Sequence, residues 1–291
     1  ISTSKGWIRA AILPWERTYP PSTLANTTMM PIILAIDRKH LLSGSGSGRK
    51  LVKLFFYLSA VLRQTIASQG EKPVRSPSSK PSETIVPTTN PKTLDAWIKL
   101  LDGTRLPVPC HSHDRVKAAI ADSRRSLRDI AELMQDSPAL VLSMMREANR
   151  HTHTTIAEPA ENLEVALNRL GLARAEALLE RLDTAPVEQI PLALRQLQMV
   201  SQHASQQANG LFASRLARLW QDIHWGSLLF LSPLWPLALT YPKLLEEWEL
   251  RVVHRGEPAP KVERELFGVR LLSLCQALAE FWRLPTWVTQ G

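Results

Sequence analysis

Cys110, His111 and His113 lie within four consecutive positions, and Asp114 follows them directly. Thiolate, imidazole and carboxylate groups are the ligands that hold Zn²⁺, and a structural zinc site needs four of them. No second ligand pair follows at the spacing of a zinc finger. The segment is therefore predicted to be structural or solvated, and the adjacent His113 and Asp114 are not taken for a catalytic His-Asp pair.

Three further histidines have the chemistry to bind a metal. His151 and His153 form a pair in a polar stretch, and His203 stands on a helical pattern. Neither the pair nor the single histidine can complete a metal site alone. They are predicted to be solvated or hydrogen-bonded, and a site that combines His151 with the cluster at Cys110 would need the fold to bring them together.

Motifs for phosphate binding and nucleophilic catalysis fail on inspection. The stretch Ser43–Lys50, SGSGSGRK, has no Gly-Lys-Ser/Thr ending, and Arg49 stands where a dinucleotide fingerprint needs its third glycine. No G-x-S-x-G elbow occurs in the sequence. The stretch is predicted to be a flexible joint, and no cofactor is predicted.

The net charge of +8 is distributed unevenly along the chain. Residues 1–92 contain 13 Lys and Arg against 4 Asp and Glu, whereas residues 93–291 contain 22 against 23. A domain that binds polyanions shows its basic surface on itself. No specific nucleic acid is therefore predicted as a partner of residues 93–291, although the basic N-terminal region leaves open an adaptor that contacts nucleic acid or a membrane surface.

Composition divides the chain into three parts. Residues 1–68 are predicted to be a basic, poorly structured region with one amphipathic helix over Leu51–Ile66. Residues 69–92, rich in proline and serine, are predicted to be a linker. Residues 93–291 are predicted to form one helical domain.

The sequence predicts a cytoplasmic protein without a transmembrane segment. Its two cysteines, Cys110 and Cys275, are too few for a disulfide framework. The longest apolar run, Leu51–Leu62, is shorter than the ~20 residues that span a bilayer and contains Lys53. The first residues have no continuous apolar core of the kind found in secretory signals.

Helix start and stop signals are clearest over residues 126–171. Ser126 with Asp129 has the spacing of a capping box. Ser137 before Pro138 is typical of a helix start. Asn162 is predicted to cap a third helix, which Gly171 ends in a left-handed backbone conformation.

The rest of residues 93–291 also shows helical periodicity and no alternation typical of strands, so the domain is predicted to be all-α. The further segments predicted to be helical are Leu94–Leu101, Arg115–Ala121, Ala173–Leu182, Pro191–Trp220 as one or two helices, a buried helix end and turn at residues 223–241, a helix from Pro242, and a single helix Val262–Arg283.

The order of these signals resembles the HDOD domain, an HD-related output domain of bacterial signalling proteins. The family shows a D-P-A-L helix start, an A-N doublet, a helix ending in L-G, and E-x-E-x-x-G and W-x-L-P signatures. The residues that carry the resemblance here are Asp136, Pro138, Leu140, Ala148, Asn149, Leu163, Ala166, Gly171, Glu265, Gly268, Trp282, Leu284 and Pro285, with Ala139, Leu170 and Glu263 beside them.

The resemblance implies a compact multi-helix domain related to HD-type metal phosphohydrolases. Catalytic members bind metal through an adjacent His-Asp pair after a G-L-L helix start. Here Gly226-Ser227-Leu228-Leu229 is followed by Phe230 and Leu231. Apolar side chains have no lone pair for a metal, so the pair is inferred to be lost, and His203 would remain as a single histidine of that site.

The resemblance therefore implies a non-catalytic regulatory module of signal transduction. It would bind a signalling protein, not identified by the sequence, or a small regulatory ligand. The alternative is a degenerate HD-type phosphohydrolase that uses His203 with His111, His113 or His151. The residues that carry the family resemblance are expected to act in structure or interaction, and no catalytic or metal-binding residue is predicted.

Overall fold

The computed structural model describes residues 90–150, 158–212 and 220–289. These residues form an all-α domain, as predicted. The helices are α1 (Leu94–Asp102), α2 (Cys110–Ala121), α3 (Leu127–Met134), α4 (Pro138–Arg150), α5 (Leu163–Leu170), α6 (Leu172–Leu179), α7 (Leu192–Phe212), α8 (Trp220–Leu229), α9 (Trp235–Thr240), α10 (Pro242–Glu249), α11 (Ala259–Phe267), α12 (Leu271–Phe281) and α13 (Thr286–Thr289).

Shorter elements connect these helices. Two parallel strands of two residues each, β1 (Val108–Pro109) and β2 (Thr184–Ala185), pair with each other. Turns of 3₁₀ helix cover Val187–Gln189 and Ser232–Leu234, and a π-helical turn, Leu250–His254, extends α10. The strands were not predicted, because two residues are too short to show an alternation.

Several predictions fall outside the described residues. These are the helix over Leu51–Ile66, the glycine-rich stretch Ser43–Lys50, and the pair His151 and His153. The three-part division of the chain therefore stays a prediction.

Local capping determines where several helices begin. The Ser126 hydroxyl accepts a hydrogen bond from the Asp129 N–H, and the Asp129 carboxylate accepts one from the Ser126 N–H, which completes the predicted capping box. The Asn162 side chain likewise accepts from the Val165 N–H. Gly171 ends α5 with φ 77° and ψ 150°, so its φ is positive as predicted although its ψ is extended.

Ser137 departs from the predicted capping role. It directly precedes α4, and its carbonyl accepts from Leu140 and Val141. Its hydroxyl oxygen, however, is buried and has no hydrogen-bond partner among the described residues. Position before a helix is therefore not sufficient for a cap, because the side-chain rotamer also decides where the hydroxyl points.

Two predicted helix boundaries are wrong. α2 begins at Cys110 and not at Arg115, so the cluster Cys110–Asp114 forms the first turn of a helix. The predicted helix Val262–Arg283 is two helices, α11 and α12, because Gly268 ends α11 in the left-handed conformation with φ 74°. The apolar period continues across that turn, which hid the break from sequence reasoning.

Five tryptophans of the described residues pack inside the domain. Trp97 and Trp235 are fully buried, and Trp225, Trp248 and Trp282 are nearly so. Aromatic side chains bury large areas and contribute strongly to core stability. Residues 223–241, predicted as a buried helix end and turn, form the end of α8, a 3₁₀ turn and α9, and most of their side chains are buried.

Within the described ranges, no single helix has the length and apolar character needed to cross a membrane. Two adjoining helical segments, Asp222–Thr240 and Pro242–His254, pass that test only together, and they are bent by 112° where they meet.

Candidate functional site

The two histidines in the first turn of α2 contact neighbouring polar groups. The His113 ring contacts the Leu179 carbonyl through Nε2 and the Asp114 carboxylate through Nδ1, each at 3.1 Å. His111 Nε2 lies 3.1 Å from the hydroxyl oxygen of Ser112. The described part of the chain contains no group of three or more His, Cys, Asp and Glu side chains arranged to hold a metal ion.

Phe230 and Leu231, which were predicted to replace a lost metal-ligand pair, lie among apolar side chains. Leu231 is buried, and Phe230 packs against the hydrophobic core after the end of α8. His203 is half-buried on α7, and burial lowers its pKa because the charged imidazolium loses water contacts. The neighbouring Gln202 amide donates to the Asp136 carbonyl at 3.1 Å, which joins α7 to the start of α4.

The asparagine of the A-N doublet connects two distant segments. Asn149 is buried at the end of α4. Its amide nitrogen donates to the Arg283 carbonyl at 2.6 Å, and its amide oxygen accepts from the Ala160 N–H at 2.9 Å. Arg283 has φ 51°, which is unusual for a residue with a side chain. Asn149 thus holds the turn of the W-x-L-P signature against the loop before α5.

Trp282 of the same signature belongs to a second polar junction. Its indole N–H donates to the Asp102 carboxylate at 2.9 Å. The Arg146 guanidinium donates to the same Asp102 oxygen and lies 4.3 Å from the centre of the Trp282 ring. Hydrogen bonds with an ionised partner are about twice as strong as neutral ones. The three side chains, which we call the Asp102 junction, join the end of α1 to α4 and to the end of α12.

A third junction closes the C-terminal turn. Both carboxylate oxygens of Glu161 accept from the Thr286 N–H, and one also accepts from the Thr286 hydroxyl at 2.6 Å. The carboxylate therefore binds the free N–H groups at the start of α13. The W-x-L-P turn is fixed by Asn149, by the Asp102 junction and by Glu161.

The two glutamates of the E-x-E-x-x-G signature bind different partners. Glu263 is buried, accepts from Arg270 Nε at 2.6 Å and receives the Leu271 N–H at the start of α12. Glu265 accepts from Arg251 Nη2 at 2.6 Å. Arg251 also donates to both carboxylate oxygens of Glu257, which raises the pKa of Arg251 and lowers the pKa of Glu257.

The signature glycine allows a close backbone approach. A Cβ atom on Gly268 would lie 2.5 Å from the Lys92 carbonyl oxygen. Lys92 Nζ donates to the carbonyl of Glu265 at 3.1 Å on the same turn. Glycine is needed here both for the positive φ and for the space.

A shallow cleft lies between α3, the start of α5 and the middle of α8. Its volume is only about 30 Å³. The lining residues are Arg128, Ala131, Glu132, Gln135, Asn162, Glu164, His224 and Trp225. His224 is buried, and this burial lowers its pKa, while its Nδ1 lies 3.3 Å from the Ser205 carbonyl oxygen.

The structure brings the C-terminal signatures and the A-N doublet together through side chains that sequence reasoning did not single out. Asp102, Arg146, Glu161 and Arg251 each bind a signature segment. No local signal marked them, because each partner lies far away in the sequence or on another helix. By contrast, Leu140, Ala148, Leu163 and Ala166 are buried, as helical periodicity indicated, and Leu284 is buried as well.

The sequence model of the HDOD domain matches residues 106–290 of this chain. No curated protein matches the chain significantly. Among solved structures, the MmoQ response regulator from Methylococcus capsulatus str. Bath shares 19% identity, with coverage of 63% of this chain and 71% of its own and a TM-score of 0.46. A virulence factor from Campylobacter jejuni subsp. jejuni shares 10% identity, with coverage of 68% and 70% and a TM-score of 0.48.

Proposed function

This chain belongs to the HDOD domain family, and on that premise we propose that it is a non-catalytic module of bacterial signal transduction. It acts in the cytoplasm by binding a partner protein. The observation that carries this proposal is the identity of the residues at the metal-ligand positions, where Phe230 and Leu231 present apolar side chains to the core.

Apolar residues at these positions remove the means of catalysis that HD enzymes use. A metal that activates water must be held by several lone-pair donors on fixed elements. His203 supplies one such donor, and its carrier helix is joined to α4 through Gln202. The ligands that would complete the site are replaced by side chains that stabilise the domain through packing instead.

The size of the cleft at His224 favours a protein partner over a small regulatory ligand at that place. Pockets that bind small molecules have volumes of roughly 300–1,000 Å³. The cleft of about 30 Å³ has room for little more than a water molecule. Recognition by an exposed surface does not require such a pocket, and typical protein interfaces are nearly flat and bury about 800 Å² on each side.

The family signatures support the same view of the domain as a rigid scaffold. The polar groups of Asn149, Glu263 and Trp282 form hydrogen bonds inside the domain. Such side chains are not available to bind substrate without breaking the fold. These side chains hold the helices of the domain in place. Exposed residues on those helices then bind the partner.

Metal content of the purified full chain tests this function first. We expect less than stoichiometric transition metal by elemental analysis after dialysis, and no hydrolysis of phosphodiester substrates with added Mn²⁺, Fe²⁺ or Mg²⁺. The double variant Phe230→Ala/Leu231→Ala is the control, because it changes both positions without removing a possible metal ligand. Hydrolysis that is lost in His203→Ala but retained in that control would establish the alternative, a degenerate phosphohydrolase.

Partner binding is tested by the same chain in a bacterial cytosol. A cross-linker placed at Phe281, whose side chain is 57% exposed, would report a neighbouring protein. The matched control carries it at Leu192, an equally apolar residue that is 50% exposed on α7. A partner captured at one site and not the other marks a specific surface, whereas equal capture at both sites contradicts specific recognition.

The basic N-terminal region supports an additional role as an adaptor for anionic surfaces. Residues 1–92 carry the positive excess of the whole chain. Binding to anionic vesicles or to nucleic acid is expected to weaken steeply with salt. It should disappear in the chain without residues 1–89 and persist in the chain with Arg124→Ala, which removes a charge from the domain instead.

A further inference from the structure

We propose that α1 is a ligand in cis of the HDOD domain: a helix bound in a groove lined by the two C-terminal signatures and Tyr241, which can leave and re-enter that groove while the rest of the domain stays folded. The inference goes beyond the proposed function, because it concerns a helix-binding groove whatever the partner of the module is. α1 lies entirely before residue 106, where the match to the family begins.

Trp97 is the central contact between α1 and the groove. It is fully buried, and its indole N–H donates to the Phe267 carbonyl at 2.8 Å. The Trp97 ring makes edge contacts with the rings of Tyr241 and Phe267, at centroid distances of 5.4 and 6.2 Å. A buried tryptophan with a satisfied N–H at the centre of a contact is the typical anchor of a bound helix.

The two ends of α1 are held by different signatures. At its start, the Lys92 backbone crosses Gly268 and the Lys92 ammonium binds the Glu265 carbonyl of the E-x-E-x-x-G turn. At its end, the Asp102 carboxylate binds Trp282 of the W-x-L-P turn and Arg146. Both signatures thus have the same helix as a common partner.

These contacts define the helix that the groove accepts. It is amphipathic, with large apolar side chains one turn apart, as at Trp97 and Leu101, and with a carboxylate at its C-terminal end. The chain supplies such a helix itself through the exposed connection at Gly103 and Arg105. A short tether gives the tethered helix a high effective concentration, so the chain's own segment is the occupant.

Cleavage of this connection in the full chain tests the proposal. A recognition sequence for a specific protease is inserted between Thr104 and Arg105, and the cut protein is followed by size-exclusion chromatography. The fragment that contains α1 should remain bound to the fragment of residues 105–291. A fluorescent peptide of residues 90–105 should then exchange into the cut protein and compete with the fragment.

Peptide variants make the test independent of folding. The Trp97→Ala peptide should bind at least about tenfold more weakly, and the Asp102→Asn peptide should also lose affinity. A Lys99→Ala peptide is the matched control and should bind as the wild type does, since Lys99 is exposed and makes no groove contact among the described residues.

Two results would overturn the proposal. Immediate separation of the cut fragments would show that α1 is held by its covalent connection and not by the groove. Loss of the helical circular dichroism of residues 106–291 when the peptide displaces the fragment's α1, or when the fragment is removed, would show that α1 is part of the fold. Retention of both helicity and exchangeable binding would support it.

Discussion

The indole nitrogen of Trp282 donates a hydrogen bond of 2.9 Å to a carboxylate oxygen of Asp102, a residue 180 positions earlier in the chain. The same oxygen accepts from Arg146, whose guanidinium also stacks on the Trp282 ring. One carboxylate therefore neutralises a largely buried cation and satisfies a buried N–H. Burial lowers the pKa of Arg146, while the charge of Asp102 opposes that change.

The substitution Asp102→Asn should destabilise the domain by about 1–3 kcal/mol. It leaves Arg146 with a neutral acceptor in a half-buried place, and removal of one partner of a buried pair is costly. Urea unfolding at neutral pH measures the effect. Asp122→Asn is the matched control, because Asp122 pairs with Arg124 on the surface, where ion pairs contribute little. Equal effects at both positions would contradict a special role for Asp102.

The substitution Gly268→Ala should cost more than Gly256→Ala. Both glycines have positive φ, at 74° and 68°, so both substitutions carry the conformational cost of about 1 kcal/mol. Only Gly268 faces a backbone atom, the Lys92 carbonyl oxygen, whereas a Cβ on Gly256 would meet nothing within 4 Å. The clash should add about 1–3 kcal/mol.

Thermal unfolding of the two glycine variants measures that difference. Because the strain from φ is common to both, the excess at Gly268 reports the crossing of the Lys92 backbone alone. If both variants lose the same amount of stability, the Lys92 backbone does not lie close to Gly268 in solution.

Two serines at helix starts should respond differently to the same change. Ser126→Ala removes a complete capping box and should destabilise the domain by about 0.5–2 kcal/mol. Ser137→Ala removes a buried hydroxyl that has no partner in the described structure, so it should be neutral or slightly stabilising. Chemical denaturation of both variants tests the contrast, and a large loss at Ser137 would reveal a cap in solution.

His224 should make the domain sensitive to mild acid. Burial lowers its pKa from the ordinary value of 6.5, so the folded state keeps it neutral where the unfolded state gains a proton. Stability is therefore unaffected by this group above pH 6.5 and falls as the pH decreases below it, towards the folded-state pKa. His203 has the same direction of shift and adds to the effect.

The variant His224→Gln should lose less stability than the wild type when the pH is lowered from about 7 to about 5. His254→Gln, at an exposed position, is the control and should follow the wild-type curve. Parallel curves for the wild type and His224→Gln would contradict a buried neutral imidazole.

Sequence reasoning succeeded where the cause is local. Ser126 and Asn162 cap their helices through residues three positions away, so the spacing alone contains the interaction. Helical periodicity likewise identified Leu140 and Ala166 as buried. Family signatures placed Asn149 and Trp282 at important positions without saying what they touch.

It failed where the cause is distant. The crossing of the Lys92 backbone at Gly268 was not predicted, because no pattern around Gly268 contains it. Asp102 looked like an ordinary residue at a helix end, because its partners are on α4 and at the end of α12. The predicted single helix Val262–Arg283 was wrong for a local reason: Gly268 ends α11 in the left-handed conformation, and the apolar period on both sides of the turn hid that signal.

The contact of Trp97 with Phe267, 170 residues later, has a consequence for biosynthesis. The ribosome adds roughly 5–20 residues per second, so α1 leaves it some 10–30 s before its partner does. For that interval an amphipathic helix with an uncovered tryptophan is exposed to chaperones and to other nascent chains. A ribosome that stalls before residue 267 holds a chain whose α1 has nowhere to dock, and quality-control factors can recognise that apolar face as the mark of an unfinished protein.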